Sequence, residues 1–392
     1  MNPRLATRFK KLLWIMAQAL LISLITFALT EVTFRVYGYF NPTFIFHGSS
    51  FSRSYNTYRG KPHSRDYDSK LNSHGFKGRE FTIRKPPNTY RILAIGDSFT
   101  FGIVPYEYNY TYHIERQLNR ELSASDGVSY ELVNMGISGT GPRDYLTLLV
   151  DEGLQLHPDM VIVSIFIGND IIEAQRNDVV RDYWLKEPWY TSSYVLSFFR
   201  YLLTVSHKFE GGIQKLDHYD DNAPTHTEDA FFAIQVPRLQ NFVKNDREFL
   251  DAFRVQVGYL HQIKRICDKN HIGLLFVLIP DEMQVNKAQQ IEVIKRAKVD
   301  PAQVDMLQVN RMLQHDCAAE GIPYIDLLPT FAASDKSLYK PRNTHWNIAG
   351  NLLAAQNITP KVIELIHQAS GALTHAAKTP AGAAPSPGSG DP

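Results

Sequence analysis

Ser98 stands in Gly96-Asp97-Ser98-Phe99-Thr100-Phe101-Gly102, directly after an apolar run and flanked by glycines. A serine on so tight a turn exposes its hydroxyl, and an activated hydroxyl attacks carbonyl carbon. Taken alone, Gly-Asp-Ser is more often a plain turn. A second segment, Asn343-Thr344-His345-Trp346-Asn347-Ile348-Ala349-Gly350, offers His345 as a base. A lone histidine there would more commonly cap or pack. Between them lies Asn134-Met135-Gly136-Ile137-Ser138-Gly139-Thr140-Gly141, where glycine lets backbone approach a ligand and present an N–H. A phosphate loop is the competing use, but no Gly-Lys-Ser/Thr follows and the glycines lack dinucleotide spacing. The fourth segment is Gly168-Asn169-Asp170. The Asn169 amide can donate to a developing oxyanion, or the residue can cap a helix. A Gly-x-Ser-x-Gly elbow is absent; its nearest match, Gly136-Ile137-Ser138-Gly139-Thr140, fails at the fifth position.

Positioning these segments requires strands that end where they begin. Residues 90–95, 130–135, 160–167, 272–279 and 323–328 are short apolar runs rich in β-branched residues, as strands covered on both faces are. Helical patterns separate them, as in Tyr112 to Leu122 and Phe253 to Cys267. Alternating strand and helix predicts a five-stranded parallel sheet with helices on both sides. Ligands of such sheets lie beyond the carboxyl ends of the strands. All four segments fall at or just after those ends, which is the reason to read them together. Residues from Phe40 to Asn88 read as irregular, and the connection from Ile171 to about Asp251 as an elaborated helical insertion. Within that insertion, Tyr194 to Val205 is apolar around most of its circumference; a buried helix is the simplest reading, a lid or membrane-dipping surface the second.

The 392 residues include 41 Lys plus Arg against 40 Asp plus Glu, a formal charge of +1. That balance gives no basic surface for nucleic acid. Arg4, Arg8, Lys10 and Lys11 precede an uncharged run from Leu12 to Thr30. As a helix it spans roughly 28 Å, near the hydrocarbon thickness of a bilayer. Basic residues stay on the cytoplasmic side, so the bulk of the chain is expected outside it. With only Ala28-Leu29-Thr30 near a cleavage pattern, an uncleaved anchor over residues 1–35 is expected rather than a signal peptide. From Ala369 the Ala-, Pro-, Gly- and Ser-rich sequence reads as a disordered tail to residue 392. Cys267 and Cys317 fit either one disulfide or two inert buried thiols. Asp217, His218, Asp220, Asp221, His226, Glu228 and Asp229 have no regular ligand spacing and read as a solvated loop. No metal and no cofactor are expected.

In their order, Gly-Asp-Ser, Gly, Gly-Asn-Asp and a late His-Trp-Asn resemble the SGNH (GDSL-like) hydrolase superfamily over roughly residues 90–368. Asn72 to Gly78 and the N-terminal anchor resemble its membrane-attached bacterial members. The resemblance implies a three-layer α/β/α flavodoxin-like domain with no cofactor. It implies Ser98 as nucleophile and His345 as general base. It also implies an oxyanion hole from the N–H groups of Ser98 and Gly136 with the Asn169 side chain, each donor worth about 3 kcal/mol. The family usually places Asp two or three residues before the histidine; here Arg342 and Asn343 hold those positions. Asn343, Asp335 or a backbone carbonyl could then orient the imidazole. An ester on an extracytoplasmic (periplasmic) glycan or lipid is the substrate class implied. Hydrolysis leads, transfer to a carbohydrate hydroxyl follows, and a non-catalytic envelope assembly protein keeping the fold is the third reading.

Overall fold

A computed structural model describes residues 3–40, 55–56, 59–60, 63, 65–66, 69–174, 193–200 and 219–378. The sheet is built from β1 (Thr89–Ile95), β2 (Ser129–Asn134), β3 (Met160–Phe166), β4 (Gly273–Ile279) and β5 (Tyr324–Asp326). All neighbours are parallel, in the order β2-β1-β3-β4-β5. That is the flavodoxin-like order, and its switch point lies where β1 parts β2 from β3. Ala94 pairs with Asn134 on one side and with Ile162 on the other, so β1 and β2 end nearly level while β3 continues past them to Phe166.

Alternation along each strand sorts side chains to two faces. In β1, Leu93 and Ile95 join one apolar cluster, while Ile92 and Ala94 join the other. The first face is covered by α4 (Pro142–Asp151), α8 (Arg247–Lys269) and α9 (Gln308–Ala319), through residues such as Leu148, Leu260 and Leu313. The second is covered by α3 (Tyr110–Glu121) and α10 (Ile348–Lys378), through Ile114, Leu118, Ile358 and Val362. This is the expected three-layer α/β/α domain with a five-stranded parallel sheet. Two short helical turns complete the strand ends: α2 (Ser98–Phe101) after β1, and α5 (Asp170–Glu173) after β3. Cys267 and Cys317 are both free and buried, near the ends of α8 and α9.

Two helices run past the boundaries expected from sequence. α10 continues to Lys378, ten residues into the expected tail, because Ala-rich sequence propagates a helix already nucleated on the core. Residues 379–392 lie outside the described residues. The N-terminal helix α1 runs from Pro3 to Phe40, beyond the expected anchor end at residue 35. In the extension, two hairpins pair residues 55–56 with 59–60 and 65–66 with 69–70. Of the insertion, residues 175–192 and 201–218, with Asp217 and His218, lie outside the described residues. Its described parts include α6 (Tyr194–Arg200) and α7 (Glu228–Arg238).

α1 is the one helix among the described residues long and apolar enough to cross a membrane, over Thr7–Tyr37. Leu12, Trp14, Leu20, Ile22 and Leu29 are exposed along it. Near its end it meets the insertion. The Glu31 carboxylate accepts from Ser193 Oγ (2.8 Å), Tyr194 N (3.0 Å) and Val195 N (3.0 Å), satisfying N–H groups that the first turn of α6 leaves open. Phe34 and Phe198 pack edge to face beside it, 5.4 Å between centroids.

Candidate active site

Chain tightness after β1 decides where Ser98 points. A Cβ on Gly96 would lie 2.2 Å from Thr100 Oγ1, so only glycine fits the turn. Asp97 then caps α2, its Oδ1 accepting from Phe99 N at 2.8 Å. Ser98 is the first residue of that turn, which leaves its own N–H outside the helical ladder. The hydroxyl lies 2.7 Å from His345 Nε2 and 3.4 Å from Asp97 Oδ2. The first is a full hydrogen bond and the second a long one, so the hydroxyl proton belongs to the imidazole.

His345 comes from the far end of the chain. The loop before it is strained: Arg342 (φ 48°) and Thr344 (φ 71°) are both left-handed, and for β-branched Thr344 that is a rare state. These two reversals fold Asn343 back beneath the ring. His345 Nδ1 then meets Asn343 Oδ1 at 2.7 Å and the Asn343 backbone oxygen at 3.1 Å. Both acceptors of Nδ1 come from Asn343. Exposed Asp335 has no part in this contact. Phe99 packs on the ring at 4.9 Å, and buried Trp346 packs on Phe99 at 5.0 Å.

Electrostatics favour the neutral ring. Burial first, and the charge of Arg238 second, push the imidazole down to about 4, although the Asn343 backbone bond pulls the other way. Burial holds Asp97 above the ordinary carboxyl range against the lowering pull of Phe99 N–H and Arg238. Asp170 is driven the same way by burial and by the neighbouring Asp97 and Glu173. Its carboxyl receives Phe166 N and Tyr145 Oη, each at 3.0 Å, and so ties the end of β3 to α4.

Asn169 occupies the position before α5, but its side chain does not cap that turn. Instead Nδ2 donates to Glu173 Oε1 at 3.0 Å, while Oδ1 is buried without a partner. One amide hydrogen is therefore used, and the other remains to be directed. Gly136 departs from expectation. Its N–H is spent on Asn134 Oδ1 at 2.9 Å, and the N–H of Ile137 on Gly96 O at 3.0 Å. A Cβ at residue 136 would lie 2.1 Å from Phe101 N. Gly136 is thus a glycine because β2's exit presses on the backbone of α2, a reason that spacing alone does not reveal.

Sequence reading missed the residues that the insertion brings. Arg238, at the end of α7, lies over the Phe166 ring (5.0 Å) with Nη1 3.4 Å from Asp281 Oδ2. Residues 219–226 run alongside the His345 loop. Thr225 N and His226 N donate to Pro341 O and Arg342 O, both at 3.1 Å. Asn343 Nδ2 donates to Thr225 Oγ1 at 2.5 Å, and Lys340 Nζ donates to the carbonyls of Asp220 and Ala223. Of the acidic residues in the polar loop, Glu228 and Asp229 pair with Arg296 instead of converging on a common point. No local pattern marks Thr225 or Arg238; only the tertiary fold places them.

Residues 242–391 match the family described as "SGNH hydrolase-like domain, acetyltransferase AlgX". That stretch holds Asn343 and His345 and begins after Ser98, Gly136 and Asn169. Curated proteins give no match. Among solved structures, a two-domain esterase active on acetylated mannans is 14% identical with a TM-score of 0.37, covering 71% of this chain and 50% of that one. This chain thus spans half the length of that esterase. An acetyl xylan esterase is 15% identical, TM-score 0.37, over 68% of this chain and 97% of its own. A GDSL-like lipase from Bacteroides thetaiotaomicron is 11% identical, TM-score 0.34, over 70% and 88%. Residues 242–391 are thus similar to an SGNH hydrolase-like domain, and the 2-1-3-4-5 parallel sheet around them is the α/β architecture that this likeness leads one to expect.

Proposed function

We propose that this chain is a membrane-anchored, extracytoplasmic enzyme that removes or transfers an O-acyl group, O-acetyl foremost, on a glycan or lipid through an acyl-enzyme at Ser98. The observation that carries the proposal is the 2.7 Å contact between Ser98 Oγ and Nε2 of His345. As Oγ attacks the ester carbonyl, Nε2 takes its proton, and Asn343 Oδ1 and O hold the proton on Nδ1. The tetrahedral oxyanion is received by the Ser98 N–H and the second Asn169 amide hydrogen. The Gly136 N–H could join them only by leaving Asn134 Oδ1, which it meets at 2.9 Å. His345 then returns its proton to the departing alcohol. Water resolves the acyl-enzyme in a hydrolase, a sugar hydroxyl in a transferase.

The acetyltransferase description of the matching family supports transfer as the second reading. Fluorophosphonate labelling tests the chemistry: the wild-type chain should be labelled, and Ser98→Ala should not. Absence of labelling in folded wild-type protein would leave a non-catalytic binding role. Acyl release measured with and without a glycan acceptor separates water from sugar as the second substrate.

A further inference from the structure

Asparagine below a catalytic-type histidine raises a problem that aspartate does not. A carboxylate presents an acceptor either way round, whereas an amide presents Oδ1 in one orientation and Nδ2 in the other. With Nδ2 toward the ring, His345 Nδ1 would have to accept, Nε2 would carry the hydrogen, and Ser98 would face a donor unable to take its proton. The Ser98 hydroxyl even has an alternative acceptor in Asp97 Oδ2 at 3.4 Å. The chain Thr225–Asn343–His345–Ser98 therefore has two possible directions, and only one is productive.

The backbone oxygen of Asn343 selects that direction, and Thr225, whose hydroxyl can donate or accept, supplies the partner that the selected direction then needs. The backbone oxygen of Asn343 lies 3.1 Å from Nδ1 and can only accept, so it places the hydrogen on Nδ1 and calls for Oδ1, at 2.7 Å, as the second acceptor. The amide Nδ2 then points at Thr225 Oγ1, 2.5 Å away. Asn343 is buried, so its N–H needs a partner there. Thr225 is itself pinned to the loop, by its N–H to Pro341 O and by the N–H of its neighbour His226 to Arg342 O.

We infer that Thr225 is a positioning residue: its hydroxyl oxygen anchors the Asn343 amide with Oδ1 toward His345, and thereby keeps the imidazole in the tautomer that can accept the Ser98 proton. The inference rests on the acyl-enzyme reading for its purpose, but the tautomer can be observed without activity. It also accounts for residues 219–226 of the insertion lying against the histidine loop, since they supply the group that an amide at residue 343 needs.

The full chain in detergent micelles provides the test, with Thr225→Val (same shape, no acceptor) and Thr225→Ser (acceptor retained). Three readouts are taken: turnover of p-nitrophenyl acetate, the rate of fluorophosphonate labelling, and nitrogen-15 spectra of labelled histidine, with His345→Gln assigning the ring. Thr225→Val should lower kcat and the labelling rate about tenfold with KM unchanged, and shift His345 away from a pure Nδ1–H form. Thr225→Ser should stay within about twofold of wild type. In an Asn343→Asp background, where nothing needs orienting, Thr225→Val should cost less than about threefold. Wild-type rates with an undisturbed Nδ1–H signal in Thr225→Val would overturn the inference, as would an equal loss in both backgrounds. If wild type itself neither turns over nor labels, the acyl-enzyme reading falls, and the nitrogen spectra alone decide the role of Thr225.

Discussion

At the level of single residues, the proposed chemistry depends on keeping one ring uncharged. The His345 imidazole is pushed down to about 4 by burial and by Arg238, so it is a free base throughout the neutral range. Because the neutral form is the one that accepts the Ser98 proton, kcat/KM should stay level from neutrality down to about pH 5 and then fall tenfold per unit below about pH 4. A pH–rate profile checks this; a midpoint near that of ordinary histidine would show that the ring is not shielded. The meeting of Ser98, Asn343 and His345 was legible from sequence because parallel sheets gather their strand ends at one rim. Gly136 was read as a donor on residue type. Which N–H of a loop faces inward depends on a neighbour's side chain, here Asn134, and no spacing encodes that. Thr225 and Arg238 were illegible for a related reason: they reach the site from an insertion with no strand end to announce them.

At the level of elements, the exit of β2 and the turn α2 form the tightest joint. Gly136→Ala sets a methyl 2.1 Å from Phe101 N, against backbone and not a movable side chain. It should destabilise the fold by about 1–3 kcal/mol in urea titration and displace Ser98 enough to abolish labelling. Gly258→Ala is the contrasting case. Residue 258 lies inside α8 with no atom within 4 Å of its Cβ position, so alanine there should stabilise by about 0.5–1 kcal/mol and leave labelling intact. Strands were easy to foresee because, covered on both faces, they must be continuously apolar. The end of α10 was not, since its Ala-rich extension has the composition of a tail and the propensity of a helix, and packing of residues such as Ile358 supplies the nucleus.

At the level of the whole molecule, α1 stands apart from the α/β core and exposes apolar side chains along its length. As a bilayer anchor, it should keep the chain in membrane pellets after alkaline carbonate washing, whereas a chain beginning at residue 41 should be released. Recovery of the intact chain in the wash would remove the anchor from the proposal. Its contact with α6 through Glu31 ties the insertion to the same helix.

The hydroxyl of residue 98 and the ring that engages it are 247 positions apart. During synthesis the chain therefore displays an inert alcohol for most of its length. On the proposed mechanism, a copy interrupted before residue 345 lacks its base and carries only an ordinary alcohol, so hydrolytic or transfer power would arrive late in synthesis.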